Sequence, residues 1–360
     1  MNVGSIDINL ATLEIGNEQI EWHNVKEENI SIHGVYFDTG AGLYMRVPDD
    51  VAERANPRLK PLVRMTSGGR VRFVTDSPFV AIKATVPAFQ PMPHMSITGS
   101  HGFSIYKNGI FQARTSPKFS DYIGRTDDPY NTPVSFAEKK PLFDTGGKGT
   151  VEIYFPLYGG VCDLYIGVAP GSVIEKADEY KYTKPLVFYG SSITQGACVS
   201  RPGNDYVSTI ARRLNADYIN LGFSGNGNAE PEILEYICGI DASLFAFDYN
   251  YYASQTDRVL PPHYEIYRRI REVHPDTPIL IYDKPGVDYE PDGYRAETIR
   301  NTYERAVAEG DEKIAYLPAE ALLGIRERDF AMVDHSHPND FGAMCIADAL
   351  YPPIKKLLDG

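Results

Sequence analysis

Two hydrophobic periods divide this chain, and they change over near residue 180. In the first half, apolar residues recur at every second position in short runs: Val71-Arg-Phe-Val-Thr75, Val80-Ala-Ile-Lys-Ala-Thr-Val86 and Val151-Glu-Ile-Tyr-Phe155. Period two is the signature of a strand with one buried face. Gly68-Gly69, Asp76-Ser-Pro78 and Gly146-Gly147 punctuate these runs, and Asn108-Gly109 within Tyr106–Phe111 predicts a tight hairpin. Many short strands without helical periodicity predict an all-β sandwich, jelly-roll-like, over residues 1–180. The stretch 117–147, rich in Pro, Asp, Asn and Gly, reads as a long loop over that sandwich.

A charged segment, Glu175-Lys-Ala-Asp-Glu-Tyr-Lys-Tyr-Thr-Lys184, has no clear apolar face and ends at Pro185, which marks a linker. From 185 to 360 the pattern alternates. Strand-like runs at 186–190, 218–222, 244–249, 279–283 and 313–317 are separated by helix-like stretches at 230–239, 263–273, 294–309 and 340–358. Between the first two strands, Tyr206, Val207, Ile210, Ala211 and Leu214 form one apolar helix face. Alternating strands and helices imply right-handed βαβ units, hence an α/β domain with a parallel sheet covered on both faces.

The length agrees with two domains, since 360 residues exceed what a single core usually supports. A hydrophobic content of 43% with 23% charged residues is that of a soluble globular protein. The formal charge of −13 lacks the basic footprint that nucleic acid or an anionic membrane requires, so neither is expected as a partner. The first residues, Met1-Asn-Val-Gly-Ser-Ile-Asp-Ile, show no basic segment followed by an apolar one, and a cytoplasmic location is expected. Cys162, Cys198, Cys238 and Cys345 are scattered, as reduced structural thiols would be.

Four short blocks carry the chemistry, each after an apolar run. Pro185-Leu-Val-Phe-Tyr-Gly-Ser-Ser-Ile-Thr-Gln-Gly196 reads as a buried strand that stops at a glycine and then presents serines. A residue just past a strand's carboxyl end in an open α/β sheet lies where loops converge on a crevice, which makes Ser192 the candidate nucleophile. Asn220-Leu-Gly-Phe-Ser-Gly-Asn-Gly227, Phe247-Asp-Tyr-Asn250 and Asp334-His-Ser-His-Pro-Asn-Asp340 follow in order.

With these blocks in this order, residues 185–358 resemble the SGNH (GDSL-like) hydrolase superfamily. The resemblance implies a flavodoxin-like fold and assigns roles position by position. Ser192 corresponds to the nucleophile, His337 to the base and Asp334 to the acid that orients it. The N–H groups of Ser192 and Gly225, with the Asn250 amide, correspond to the oxyanion hole. These roles suit the chemistry, because a serine hydroxyl needs an imidazole to take its proton and a tetrahedral oxyanion needs donors already aimed at it. Asp334 precedes His337 by three residues, and Pro338 keeps the pair on a loop while Asn339 and Asp340 are placed to cap the last helix.

Two departures stand out. The common Gly-Asp-Ser opening is Gly190-Ser191-Ser192 here, and the usual Gly-x-Asn-Asp block is Asp248-Tyr-Asn-Tyr-Tyr252. Ser191 and Ser224 are therefore competing serines, the latter in the near-elbow Gly222-Phe-Ser-Gly-Asn226. Tyr251 and Tyr252 are candidate substrate-binding residues beside Asn250. His335, Asp340 and the incomplete fingerprint Gly225-Asn-Gly-Asn-Ala-Glu230 make weak metal and dinucleotide readings, and no metal or organic cofactor is expected. The expected activity is that of a serine esterase removing short acyl groups, acetyl first, from a carbohydrate or polyol, with the sandwich lining the cleft or binding carbohydrate. Acyl transfer to an alcohol uses the same residues and stays open, as does an inactive carbohydrate-binding protein. The pattern also leaves room for a homo-oligomer.

Overall fold

The computed structural model describes residues 12–15, 18–87, 92–118, 133–143, 146–248, 262–285, 294–324 and 328–360, with side chains from 19 onward and, in the helix that starts at 294, from 296. The chain divides into two compact units, Met1–Met45 with Arg64–Glu179, and Arg46–Val63 with Tyr180–Gly360.

The first unit is an antiparallel sandwich. One five-stranded sheet runs in the order Thr12–Ile15, Glu18–Asn24, Asp163–Val168, Phe79–Val86, Val134–Pro141. The other runs Ser31–His33, Arg70–Thr75, Gly149–Tyr154, Phe103–Lys107, Ile110–Thr115, and the chain crosses repeatedly between the two. Alternation decides what each strand buries. Val80, Ile82, Ala84 and Val86 share one core with Val71, Phe73, Val151 and Ile153 of the opposing sheet. Between the core-facing residues of two paired strands, Arg72 and Glu152 sit in register and form an ion pair at 2.9 Å. The Asn108-Gly109 hairpin forms as its residues demand, both with positive φ, 51° and 77°.

The second unit holds a five-stranded, wholly parallel sheet in the order Ala216–Gly222, Tyr182–Gly190, Leu244–Phe247, Ile279–Tyr282, Ile314–Leu317. This order, second strand outside the first and the rest following on the other side, is that of flavodoxin-like folds, which open a crevice where the order reverses. The reversal falls at Tyr182–Gly190. The predicted helix face on Tyr206–Leu214 is buried, its start fixed by Asp205, whose side chain accepts the Ser208 N–H, and its end by left-handed Asn215. Ile346, Ala347, Leu350 and Ile354 give the final helix, Asp340–Asp359, its inner stripe.

Three stretches differ from the sequence reading. Val134–Pro141, inside the stretch 117–147 read as a long loop, is an edge strand paired along its length with Phe79–Val86. Tyr182 already pairs with Ala216, so the strand begins inside the charged segment, and its register shifts before Leu186 because Pro185 has no N–H to contribute. Residues in the nominally all-β half also form two short helices, Asp49–Ala55 and Leu59–Val63, which belong to the second unit. Asp49 and Asp50 in the first turn and Arg54 in the last complement the helix dipole, a signal too short to stand out as a period. Among the described residues, no helix is long and apolar enough to cross a membrane.

Candidate active site

The strand Tyr182–Gly190 stops at a glycine because nothing larger fits. A Cβ on Gly190 would lie 1.9 Å from Asp248 Oδ1 and 2.3 Å from Thr194 Oγ1. The chain then enters a single helical turn, Ser192–Gln195, and the Ser191 hydroxyl caps it by accepting the Ile193 N–H at 3.2 Å. Ser191 is thus occupied in holding the turn. Ser192, 4% exposed, places its Oγ 3.0 Å from His337 Nε2.

His337 arrives on a loop that its own backbone ties down. The Val333 N–H donates to the His337 carbonyl at 2.8 Å, and the Asn339 N–H to the Ala331 carbonyl at 2.9 Å. Asn339 then caps the last helix through the N–H groups of Phe341 and Gly342. Asp334 Oδ1 accepts the N–H groups of Ser336 and His337, each at 2.7 Å, and Oδ2 lies 2.9 Å from His337 Nδ1. A carboxylate only accepts, so the ring proton sits on Nδ1 and the Nε2 lone pair faces the Ser192 hydroxyl. Burial pushes the Asp334 carboxyl up, but the imidazole and the two N–H groups outweigh it and hold it at about 2.

The third wall is the turn after Ala216–Gly222. Asn220 Nδ2 donates to the Thr194 carbonyl at 2.7 Å, and Gln195 Oε1 accepts the Ser224 N–H at 3.0 Å, which laces this turn to the Ser192 helix. Gly225 is exposed with φ of 68°, a left-handed conformation that favours glycine, and its site is open. Behind the turn, buried Arg46 donates to the carbonyls of Asn220 at 3.1 Å, Gly222 at 2.7 Å and Leu62 at 2.7 Å. Asn56 Nδ2 donates to Glu230 Oε1 at 3.1 Å. Both residues come from the 46–63 segment, and no local sequence signal marks them.

Beneath Ser192 lies buried Asp248, whose carboxyl is pushed to about 7 by burial, with Lys284, Thr194 and the Ser191 N–H pulling the other way. Cys198, in a left-handed conformation with φ of 67°, has a thiol pushed up to about 12 by burial and by the Asp334 charge, so it is neutral. Asp340 Oδ1 accepts the Ser200 N–H at 2.9 Å and the Asn204 amide at 3.0 Å, a tie between the start of the last helix and the loop after Ser192–Gln195. Ser192, His337 and Asp334 are therefore brought into one hydrogen-bonded chain, with the Gly225 turn laced to the Ser192 helix. Asn250, Tyr251 and Tyr252 lie outside the described residues, as do 119–132 and 144–145 of the long loop.

Two family models match the chain. Residues 183–355 match the GDSL-like Lipase/Acylhydrolase family, and residues 20–174 match GxDLY, the N-terminus of the SGNH hydrolase-type esterases. No curated protein matches the sequence. Among solved structures, a candidate GDSL-like lipase from Bacteroides ovatus is 26% identical, with a TM-score of 0.76 over 94% of this chain and 98% of that one. The salicylyl-acyltransferase SsfX3 from a tetracycline biosynthetic pathway is 19% identical, with a TM-score of 0.71 over 94% and 97%. A family two carbohydrate esterase from Cellvibrio japonicus is 12% identical, with a TM-score of 0.59 over 94% and 98%. At these identities the last two likenesses speak for the fold alone. With both of its halves matched and its fold shared, the chain belongs to the SGNH (GDSL-like) hydrolase superfamily, in the two-domain type whose α/β domain follows a β-sandwich.

Proposed function

We propose that the protein is a serine esterase that removes short acyl groups, acetyl above all, from a carbohydrate or polyol. The observation that carries this reading is the chain Ser192 Oγ, His337 Nε2, His337 Nδ1, Asp334 Oδ2, with contacts of 3.0 and 2.9 Å. Ser192 Oγ attacks the ester carbonyl carbon while His337 Nε2 takes its proton. The imidazolium, stabilised by the ionised Asp334, gives that proton to the departing alkoxide, and the alcohol leaves an acyl-Ser192. Water then adds to the acyl carbon, losing a proton to His337. Collapse returns the proton to Ser192 Oγ and releases the acid. The oxyanion of both tetrahedral states is met by the N–H groups of Ser192 and Gly225 and by the Asn250 amide.

The saccharide side of the reading draws on the carbohydrate esterases of similar fold, one of them from Clostridium thermocellum and bound to cellohexaose. Tyr251 and Tyr252, beside Asn250 in sequence, supply rings suited to a sugar face. Transfer of the acyl group to an alcohol runs through the same acyl-enzyme, and one structure of similar fold is a salicylyl-acyltransferase. The choice depends on whether water or an alcohol reaches the acyl-enzyme. The deciding experiment is hydrolysis of acetyl, butyryl and octanoyl esters of one alcohol and of acetylated sugars, with acceptor alcohols added to part of the series. Acetyl esters and acetylated sugars are the expected substrates. A preference for octanoyl overturns the short-chain assignment, and transfer outrunning hydrolysis overturns the esterase one.

A further inference from the structure

We propose that Asp248 is a positioning residue for the Ser192 turn: its carboxyl packs against the Gly190 backbone before the nucleophile and faces the Thr194 hydroxyl after it, and so keeps the Ser192 N–H and Oγ aimed at the reacting carbonyl. The proposal rests on the reading of Ser192 as nucleophile. It is carried by contacts to the turn itself. The Asp248 side chain packs against the Cα of Gly190, where a Cβ would come within 1.9 Å of Oδ1. The backbone N–H of Ser191 favours its charged form. The carboxyl also faces the hydroxyl of Thr194, with Oγ1 3.5 Å from Oδ1. One carboxyl therefore meets the turn at Gly190 and at Thr194, and Ser192 lies between them.

The hydroxyl of Thr194 has its proton directed toward Asp248 by the groups behind it. Tyr206 donates its O–H to Thr194 Oγ1 at 2.9 Å, and the Tyr206 and Tyr282 hydroxyls lie 2.8 Å apart. Since Thr194 Oγ1 is already an acceptor, its single proton points onward to the carboxylate. All four side chains are buried. The ionisable groups facing Asp248 are Lys284, which follows the Ile279–Tyr282 strand, Tyr206 from its helix and Tyr282 from its strand; His337 stands across the turn on the Ser192 hydroxyl.

A carboxylate in this place works against folding, because burial pushes it up to about 7 despite Lys284 and its donors. Burial thus leaves this carboxyl poised to take or lose a proton near neutrality, beside the turn that carries Ser192. Positions 191 and 248 are among those at which the sequence departs from the common motifs, a serine where a carboxylate is usual and a carboxylate where a glycine is usual. Asparagine at 248 offers one accepting oxygen and an NH2 group that confronts a donor, so it mimics the protonated, loosened state.

The test uses full-length protein and p-nitrophenyl acetate between pH 5 and 9, with Asp248→Asn, Thr194→Val and Ser192→Ala beside the wild type. Asp248→Asn is expected to lower kcat at pH 8 by about tenfold with KM little changed, the sign of lost alignment rather than lost binding. The acid limb of kcat/KM is expected to be steeper than one proton in the wild type and to fall to one proton in Asp248→Asn, while Thr194→Val lowers kcat and keeps the steep limb. Wild-type kcat in Asp248→Asn overturns the proposal. A one-proton limb in the wild type does so too, without needing any variant to fold. If Ser192→Ala remains active, the esterase reading itself falls; if it is inactive while Asp248→Asn matches the wild type, only the present proposal does.

Discussion

The guanidinium of Arg46 donates to the carbonyl of Gly222 at 2.7 Å, across 176 positions of sequence, and fastens the turn that carries Gly225. The guanidinium also donates to the Asn220 and Leu62 carbonyls, and the centre of the Phe223 ring lies 4.8 Å from its carbon. A cation buried among carbonyls and an aromatic face is both a structural tie and a brace for the site.

Arg46→Met keeps most of the volume and removes the donors, stranding buried carbonyls. The expected cost is on the order of 3 kcal/mol in denaturant unfolding, the range for hydrogen bonds to a charged group plus an unsatisfied acceptor. Esterase kcat is expected to fall more than KM rises, because the turn that holds Gly225 loosens. A change below about 0.5 kcal/mol, the scale of an ordinary surface substitution, contradicts this.

Ser192→Ala is expected to reduce ester hydrolysis by at least about a thousandfold while the fold persists, since one hydroxyl is lost from a strand-end turn. Ser191→Ala removes a helix cap, about 1 kcal/mol, and leaves measurable turnover. Ser224→Ala leaves the Ser192 contact to His337 in place. Rates of the three variants on one aryl acetate, with circular dichroism for folding, decide which serine reacts.

Asp334→Asn presents an NH2 group to His337 Nδ1 and favours the wrong tautomer, so kcat is expected to drop by roughly 10⁴. The carboxyl stays ionised down to about 2, below the unfolded value, so its contribution to stability is present above pH 4 and disappears as pH falls toward 2. The stability gap between wild type and Asp334→Asn is therefore expected to close between pH 4 and pH 2. A gap that closes near neutrality instead points to another group.

Asp248 has the opposite sign. Its folded pKa, about 7, lies above the unfolded one, so the native state holds its proton more tightly and stability falls as pH rises from 4 to 7. Asp248→Asn removes this dependence. Its stability relative to wild type is expected to rise by at most about 1.4 kcal/mol per pH unit over that window, and to level off above it. Chemical denaturation at pH 5 and pH 8 measures the difference; equal gaps at both show a carboxyl that does not titrate there.

The sequence by itself determined the elements whose signals are local and the residues that chemistry selects. Period-two runs such as Val80–Val86 specify which face a strand buries, Asn108-Gly109 specifies its hairpin, and the face on Tyr206–Leu214 specifies a helix, because backbone and side-chain geometry act over a few residues. Ser192, Gly225 and the Asp334–His337 pair are singled out by the resemblance of four short blocks in order to one superfamily, since no one block is specific by itself. What only the tertiary structure decided are the partners that lie far apart in the chain. That Arg46 and Asn56 brace the 220–230 turn, that Asp248 packs against Gly190, and that Ser191 spends its hydroxyl on a cap while Ser192 faces His337 depend on strand order and close packing. No period or motif records such pairings, since the same short blocks are compatible with many orders of strands until burial selects one.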